Sequence, residues 1–136
     1  MKDKHPHRIP LAPQAIEILS ELQKLTGQGK FLFPSIRSAT GCMSENTINA
    51  ALRRLGYTKE EMCGHGFRSS ASSMMNECGR WHPDAIERQL AHQEPNKVRR
   101  AYARAEFWDE RVTLMAWWAD QCGAMRLGGA AIALRA

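Results

Sequence analysis

Proline and glycine cut this chain into pieces that only short helices can fill. Prolines at 6, 10, 13, 34, 83 and 95 exclude helix interiors, because the ring removes an amide donor and clashes with the preceding turn. Glycines at 27, 29, 56, 79 and 123 follow runs with helical apolar spacing, where helices commonly stop. In Gln14 to Leu25, the residues Ile16, Leu19, Leu22 and Leu25 recur at three-residue steps with Ile18 on the same arc, which predicts an amphipathic helix. Ser44 reads as the N-cap of a second helix to about Leu55, with Ile48, Ala51, Leu52 and Leu55 inward and Arg53 and Arg54 outward. A third helix starts near His65 or Gly66 and runs to Glu77, ending at Gly79. Pro83 opens a fourth, to about His92, with Ile86 and Leu90 as its apolar pair. After the break at Glu94-Pro95-Asn96, residues 97–104 are short and helical. Phe107 to Cys122 is the longest helical pattern, stopped by Gly123. The opening residues to Leu11 are polar, basic and held extended by Pro6 and Pro10, at best an edge strand. Phe31 to Pro34 reads as a buried apolar turn or short strand. The expected fold class is mostly α with a small N-terminal β element.

A chain of 136 residues is one domain's worth, and at that size roughly 68–70% of the unfolded surface can be buried. The 43% hydrophobic and 24% charged fractions exclude a disordered or collagen-like chain. There is no internal repeat, no apolar run of about 18 residues and no apolar secretory stretch behind Met1, so a cytosolic protein is expected. The net charge of +5, carried mostly by arginine, leans towards nucleic acid, since the guanidinium fork suits phosphate oxygens. Four scattered cysteines without a CxxC read as reduced thiols. Cys63, His65, Cys78 and His82 are together four possible zinc ligands, although the single residue between the first pair is tighter than zinc sites use.

Three pieces of sequence carry chemistry in combination. His65-Gly66-Phe67-Arg68 sets an imidazole and a guanidinium three residues apart at a helix start, on one face, where free backbone amides also favour an anion. Leu90-Ala91-His92 ends a helix before a turn, and Tyr102 lies among Arg99, Arg100 and Arg104. Each alone has a plain structural reading: a cap, a packed ring, a solvated face.

Taken in order and at these separations, the pieces resemble the tyrosine recombinase, or phage integrase, family, with prophage and genomic-island integrases as the nearest flavour. Ala51-Leu52-Arg53-Arg54-Leu55-Gly56-Tyr57 before HGFR, Ile86-Glu87-Arg88-Gln89-Leu90 before LAH, and Arg111 and Trp117-Trp118-Ala119-Asp120 after the tyrosine extend the likeness over about residues 1–122. The opening stretch ending His7-Arg8-Ile9-Pro10-Leu11 is similar to the family's lysine-bearing β-hairpin. The resemblance implies a truncated recombinase catalytic domain over 1–122, a flexible or docking tail over 123–136, and site-specific DNA cleavage and rejoining. Tyr102 would be the nucleophile, forming a 3′-phosphotyrosine. Arg68 and His92 would donate to the phosphate, and His65 would accept or relay the phenol proton. Lys2, with Lys4 as the alternative, would protonate the leaving 5′-oxygen. Arg53, Arg54, Arg99, Arg100 and Arg104 are candidate DNA contacts. No metal or other cofactor is implied. The partners would be double-stranded DNA and other copies of the chain on it, with no membrane, in a bacterial or phage-encoded cytoplasmic protein. The family's first arginine lies upstream of the hairpin, in a segment this sequence lacks. The chain is therefore expected to be an excised piece or truncated product, impaired in catalysis and binding DNA weakly and salt-sensitively. A non-catalytic DNA-binding remnant and a small zinc-binding module are the alternatives.

Overall fold

The computed structural model describes residues 7–38, 40–92 and 106–128. Among these described residues five helices form: α1 (Pro13–Thr26), α2 (Thr47–Arg54), α3 (Gly64–Glu77), α4 (Pro83–Gln89) and α5 (Trp108–Arg126). The chain divides into two compact units, one over Pro13–Ser70 and the other comprising the N-terminal residues and everything from Ala71 onward, so the boundary falls inside α3. Among the described residues no strand forms. The expected N-terminal β element is not seen, since residues 7–12 are irregular; Pro10 removes a ladder donor there. The nearest approach to a sheet is an isolated antiparallel bridge between Pro34 and Cys42, closed by the Ser35 amide on the Gly41 carbonyl at 2.9 Å and the Met43 amide on the Phe33 carbonyl at 2.8 Å. Leu32 and Phe33 are exposed around it, contrary to the expected buried turn.

In the Pro13–Ser70 unit, α1 starts on Pro13 as its first helical residue and ends at Thr26, whose hydroxyl donates to the Leu22 and Leu32 carbonyls at 3.2 and 3.1 Å. No residue of α1 is buried: the predicted apolar stripe exists, but Ile16, Ile18 and Leu25 face water. Ser44 does not cap α2. Its hydroxyl and carbonyl instead receive the Asn46 and Thr47 amides, at 3.2 and 3.0 Å, in a turn that delays the helix to Thr47. Leu52 is the buried hydrophobic residue of α2, while Ile48 and Leu55 are exposed. Gly56, at φ +97, ends α2 in a conformation that side chains resist.

The other unit holds the core. Ala71, Met75, Ile86, Leu90 and Leu114 form it, with Trp81, Met115, Trp117 and Trp118 packed around. Ile86 and Leu114 are wholly inaccessible to solvent, each worth about 1.5–3 kcal/mol of transfer free energy. Gly79, at φ +63, follows the end of α3 and turns the chain towards α4. His82 caps α4 by accepting the Asp84 amide at Nδ1, 3.2 Å away; its own amide donates to Glu110 Oε1 at 2.6 Å, and its ring stacks on Phe107. The helix α4 ends at Gln89, short of the expected His92, because Ala91 turns to φ 50. Helix α5 runs through Gly123 to Arg126. A single glycine costs about 1 kcal/mol within a helix, and the following Ala124, Met125 and Arg126 are good helix formers. Among the described residues no helix is long and apolar enough to cross a membrane.

Candidate functional site

The start of α3 is built by its neighbours. Asn49, on α2, accepts the Gly64 amide at Oδ1 over 2.8 Å, so a side chain from another helix satisfies one of the first unpaired donors of α3. The preceding loop is tied by a reciprocal pair. The Thr58 amide donates to Glu61 Oε2 at 2.7 Å, and the Glu61 amide to Thr58 Oγ1 at 3.3 Å. The Thr58 amide first, and then the Thr58 hydroxyl, hold the Glu61 carboxyl below the usual carboxylate range, with the Arg53 charge adding to them. Arg53 closes the same loop, donating to the Asn49 carbonyl at 3.4 Å and to the Met62 carbonyl. Arg53 is thus half-buried and turned towards its own loop, while Arg54 is exposed.

On that start, His65 is exposed and Arg68 is half-buried one turn later, so α3 brings the two onto one face as their spacing predicts. Among the described residues neither side chain is held by a hydrogen bond, which leaves imidazole and guanidinium available to an anion. Both lie in the Pro13–Ser70 unit, and His92 lies in the other.

The fold presents His92 just past α4. Its amide donates to the Glu87 carbonyl at 3.0 Å, and its Nδ1 stands 2.7 Å from Glu87 Oε2. With a carboxylate as partner, Nδ1 carries the proton; Nε2 is then an acceptor in the neutral ring and a donor only in the imidazolium. Glu87 was not singled out from the sequence, because a helical carboxylate five residues before a histidine has no periodic signature.

A second group, to which the sequence assigned no role, is buried. Arg111, on α5, is 1% exposed and donates to Gln89 Oε1 at 2.9 Å, to the Glu106 carbonyl at 3.3 Å and to the Arg8 carbonyl at 2.5 Å. Burial, then the nearby Arg88 charge, pull the guanidinium below its ordinary pKa, with Glu106 opposing and Arg8 adding a smaller push the same way. A signal existed: Arg111 falls three, four and seven residues before Leu114, Met115 and Trp118, on the apolar face of its helix.

Lys2, Lys4, Arg99, Arg100, Tyr102 and Arg104 lie outside the described residues. Among the described residues no group of three or more His, Cys, Asp or Glu side chains can hold a metal ion. Two of the four candidate zinc ligands have other employment: Cys78 is buried with its thiol on the Met75 carbonyl at 3.2 Å, and His82 caps α4.

A model of the phage integrase family matches residues 1–108. The integrase of Enterobacteria phage P4 is 52% identical over 122 residues, covering 88% of this chain and 28% of that protein. Prophage integrase IntA of Escherichia coli K12 is 42% identical over 120 residues, covering 88% and 29%. The integrase of Shigella phage Sf6 is 38% identical over 121 residues, covering 88% and 31%. The chain thus spans under a third of the length of these curated relatives. No solved structure matches it significantly.

Proposed function

This chain belongs to the phage integrase family, and we propose that it carries the strand-cleaving part of a site-specific DNA recombinase. The single observation that carries this reading is the ordered set HGFR, LAH and Tyr102, at family spacing, within the matched residues 1–108. Tyr102 Oη attacks the scissile phosphorus, forming a 3′-phosphotyrosine as the bond to the 5′-oxygen breaks. The phenol proton passes to His65, because a phenol of pKa about 10 is un-ionised at neutral pH. Lys2, with Lys4 as the alternative, protonates the departing 5′-oxygen. Arg68 and His92 donate to the non-bridging oxygens, where the transition state gathers charge. Rejoining is the reverse attack by a 5′-hydroxyl, so the bond energy is conserved without a nucleotide cofactor.

The same reading places residues 1–122 in the catalytic domain, the lysine in its N-terminal stretch and residues 123–136 in a flexible or docking tail, the first four of them still in α5. Double-stranded DNA is the substrate, contacted by Arg54, Arg99, Arg100 and Arg104, with Arg53 bracing the loop beside it. Copies associate on the DNA, in the cytoplasm. The exposed His65 and half-buried Arg68 on the first turns of α3, neither held by a hydrogen bond among the described residues, support the phosphate-binding role.

The test is covalent trapping on random-site duplex pools carrying a neutral phosphonate at the scissile position and a good leaving group 5′ to it. Neutralising the phosphate reduces the demand for guanidinium donors, and the leaving group reduces the demand for the lysine. The expected result is a protein–DNA adduct mapped to Tyr102 and abolished by Tyr102→Phe. Folded protein that binds DNA without forming an adduct would overturn the catalytic reading in favour of a non-catalytic DNA-binding one.

A further inference from the structure

Arg111 is a charge buried where a hydrophobic side chain would fill the same face of α5. A buried cation is unfavourable unless its donors are satisfied, and among the described residues no carboxylate forms an ion pair with it. Its acceptors are the Gln89 side chain at 2.9 Å and the Glu106 and Arg8 carbonyls at 3.3 and 2.5 Å, on three separate stretches of chain. Gln89 is itself buried. The Arg8 side chain reinforces the arrangement, pairing with Glu106 at 2.6 Å and lying 5.4 Å over the Trp108 ring, which the Arg111 guanidinium also approaches at 5.7 Å.

The three stretches are not arbitrary. Arg8 follows Lys2 by six residues, Gln89 precedes His92 by three, and Glu106 follows Tyr102 by four. We propose that Arg111 is a positioning residue: its guanidinium is the common anchor for the segments that carry the lysine acid, the phosphate-binding histidine and the nucleophilic tyrosine. The inference rests on the catalytic reading for the roles of those three residues, and on hydrogen-bond geometry for the anchor itself. Arginine suits the task because its planar fork reaches several acceptors in fixed directions, whereas a lysine ammonium acts as a point charge.

Two readouts on the full chain test it, with Arg111→Gln and the milder Gln89→Met, which removes one acceptor. In amide hydrogen exchange of the free protein, each variant should open residues 7–12, 89–92 and 106–108 selectively, while the α3 amides near Met75 keep their protection. In trapping on the phosphonate duplex, adduct formation at saturating DNA should slow by about 10–100-fold, the usual consequence of misplacing reacting groups by around an ångström. DNA affinity should stay within about twofold, because the anchor touches no DNA and only the geometry of the reacting groups changes. Arg111→Lys should recover part of the rate. Protection lost evenly throughout the unit, or exchange unchanged in the three segments, would make Arg111 an ordinary core residue and overturn the proposal. So would equal losses of rate and affinity. If Arg111→Gln does not fold, Gln89→Met decides between these outcomes. A wild-type chain that forms no adduct would defeat the catalytic reading and with it the positioning role, while the exchange pattern still tells whether Arg111 anchors the three segments.

Discussion

At the scale of single residues, the carboxylates decide more than the sequence motifs suggest. Glu87 and His92 form a short pair, 2.7 Å from Oε2 to Nδ1, in which the carboxylate holds that ring nitrogen as a donor. Glu87→Ala should release the ring. Imidazole nitrogen chemical shifts of His92 would then report a mixture of the two neutral tautomers at high pH, where the wild type shows the Nδ1-protonated one, and adduct formation should fall roughly tenfold. Glu106 is the other case. Its hydrogen bond to Arg8, and then the Arg8 charge, hold its carboxyl below the usual range. A lowered pKa means that the pair's contribution is complete above the ordinary carboxylate pKa and is lost as pH falls through the lowered one. Because the pair is exposed, global stability should hardly change on Glu106→Gln at neutral pH. The visible effect should be local: protection of residues 7–12, corrected for the intrinsic pH dependence of amide exchange, falls on acidification in the wild type and is already low and independent of pH in the variant.

At the scale of elements, helix positions were legible from periodicity and helix ends less so. α1 falls within one residue of its predicted bounds, and α3 starts at or next to them, because apolar spacing and flanking glycines are local signals. Ser44 looked like a cap and became a turn, and Gly123 looked like a stop and was absorbed, because each outcome depends on neighbours that a local pattern does not contain. The cap on α3 comes from Asn49, fifteen residues away, and nothing in the local sequence announces it. Asn49→Ala should therefore destabilise the start of α3 by about 1 kcal/mol, within the 0.5–2 kcal/mol of other lost caps. The measurement is a shift in the urea midpoint together with faster exchange at Gly64 to Gly66. Unchanged protection there would show that the bond contributes nothing.

At the scale of the whole molecule, burial is uneven between the two units. The fully inaccessible side chains Ile86 and Leu114 and the nearly inaccessible Met75 lie in the unit that includes α4 and α5, whereas α1 buries no residue at all. Hydrogen exchange should follow that division, slowest in the later part of α3 and in α5 and fastest in α1, since local opening free energy tracks buried apolar contact. Leu114→Ala should cost about 2–5 kcal/mol, read from denaturant unfolding, and should erase the slow-exchanging set. The sequence by itself determined the helical class, the order of the helices and the pairing of His65 with Arg68 on one face, because those follow from proline geometry and the 3.6-residue period. It also carried the motif order that marks the family. Only the tertiary structure decided that Arg53 braces a loop, that Glu87 holds His92, and that Arg111 is buried among acceptors from three stretches of chain. The physical reason is that hydrogen bonds between residues distant in sequence depend on where the backbone brings carbonyls and side chains together, and residue spacing along a chain holds no record of that.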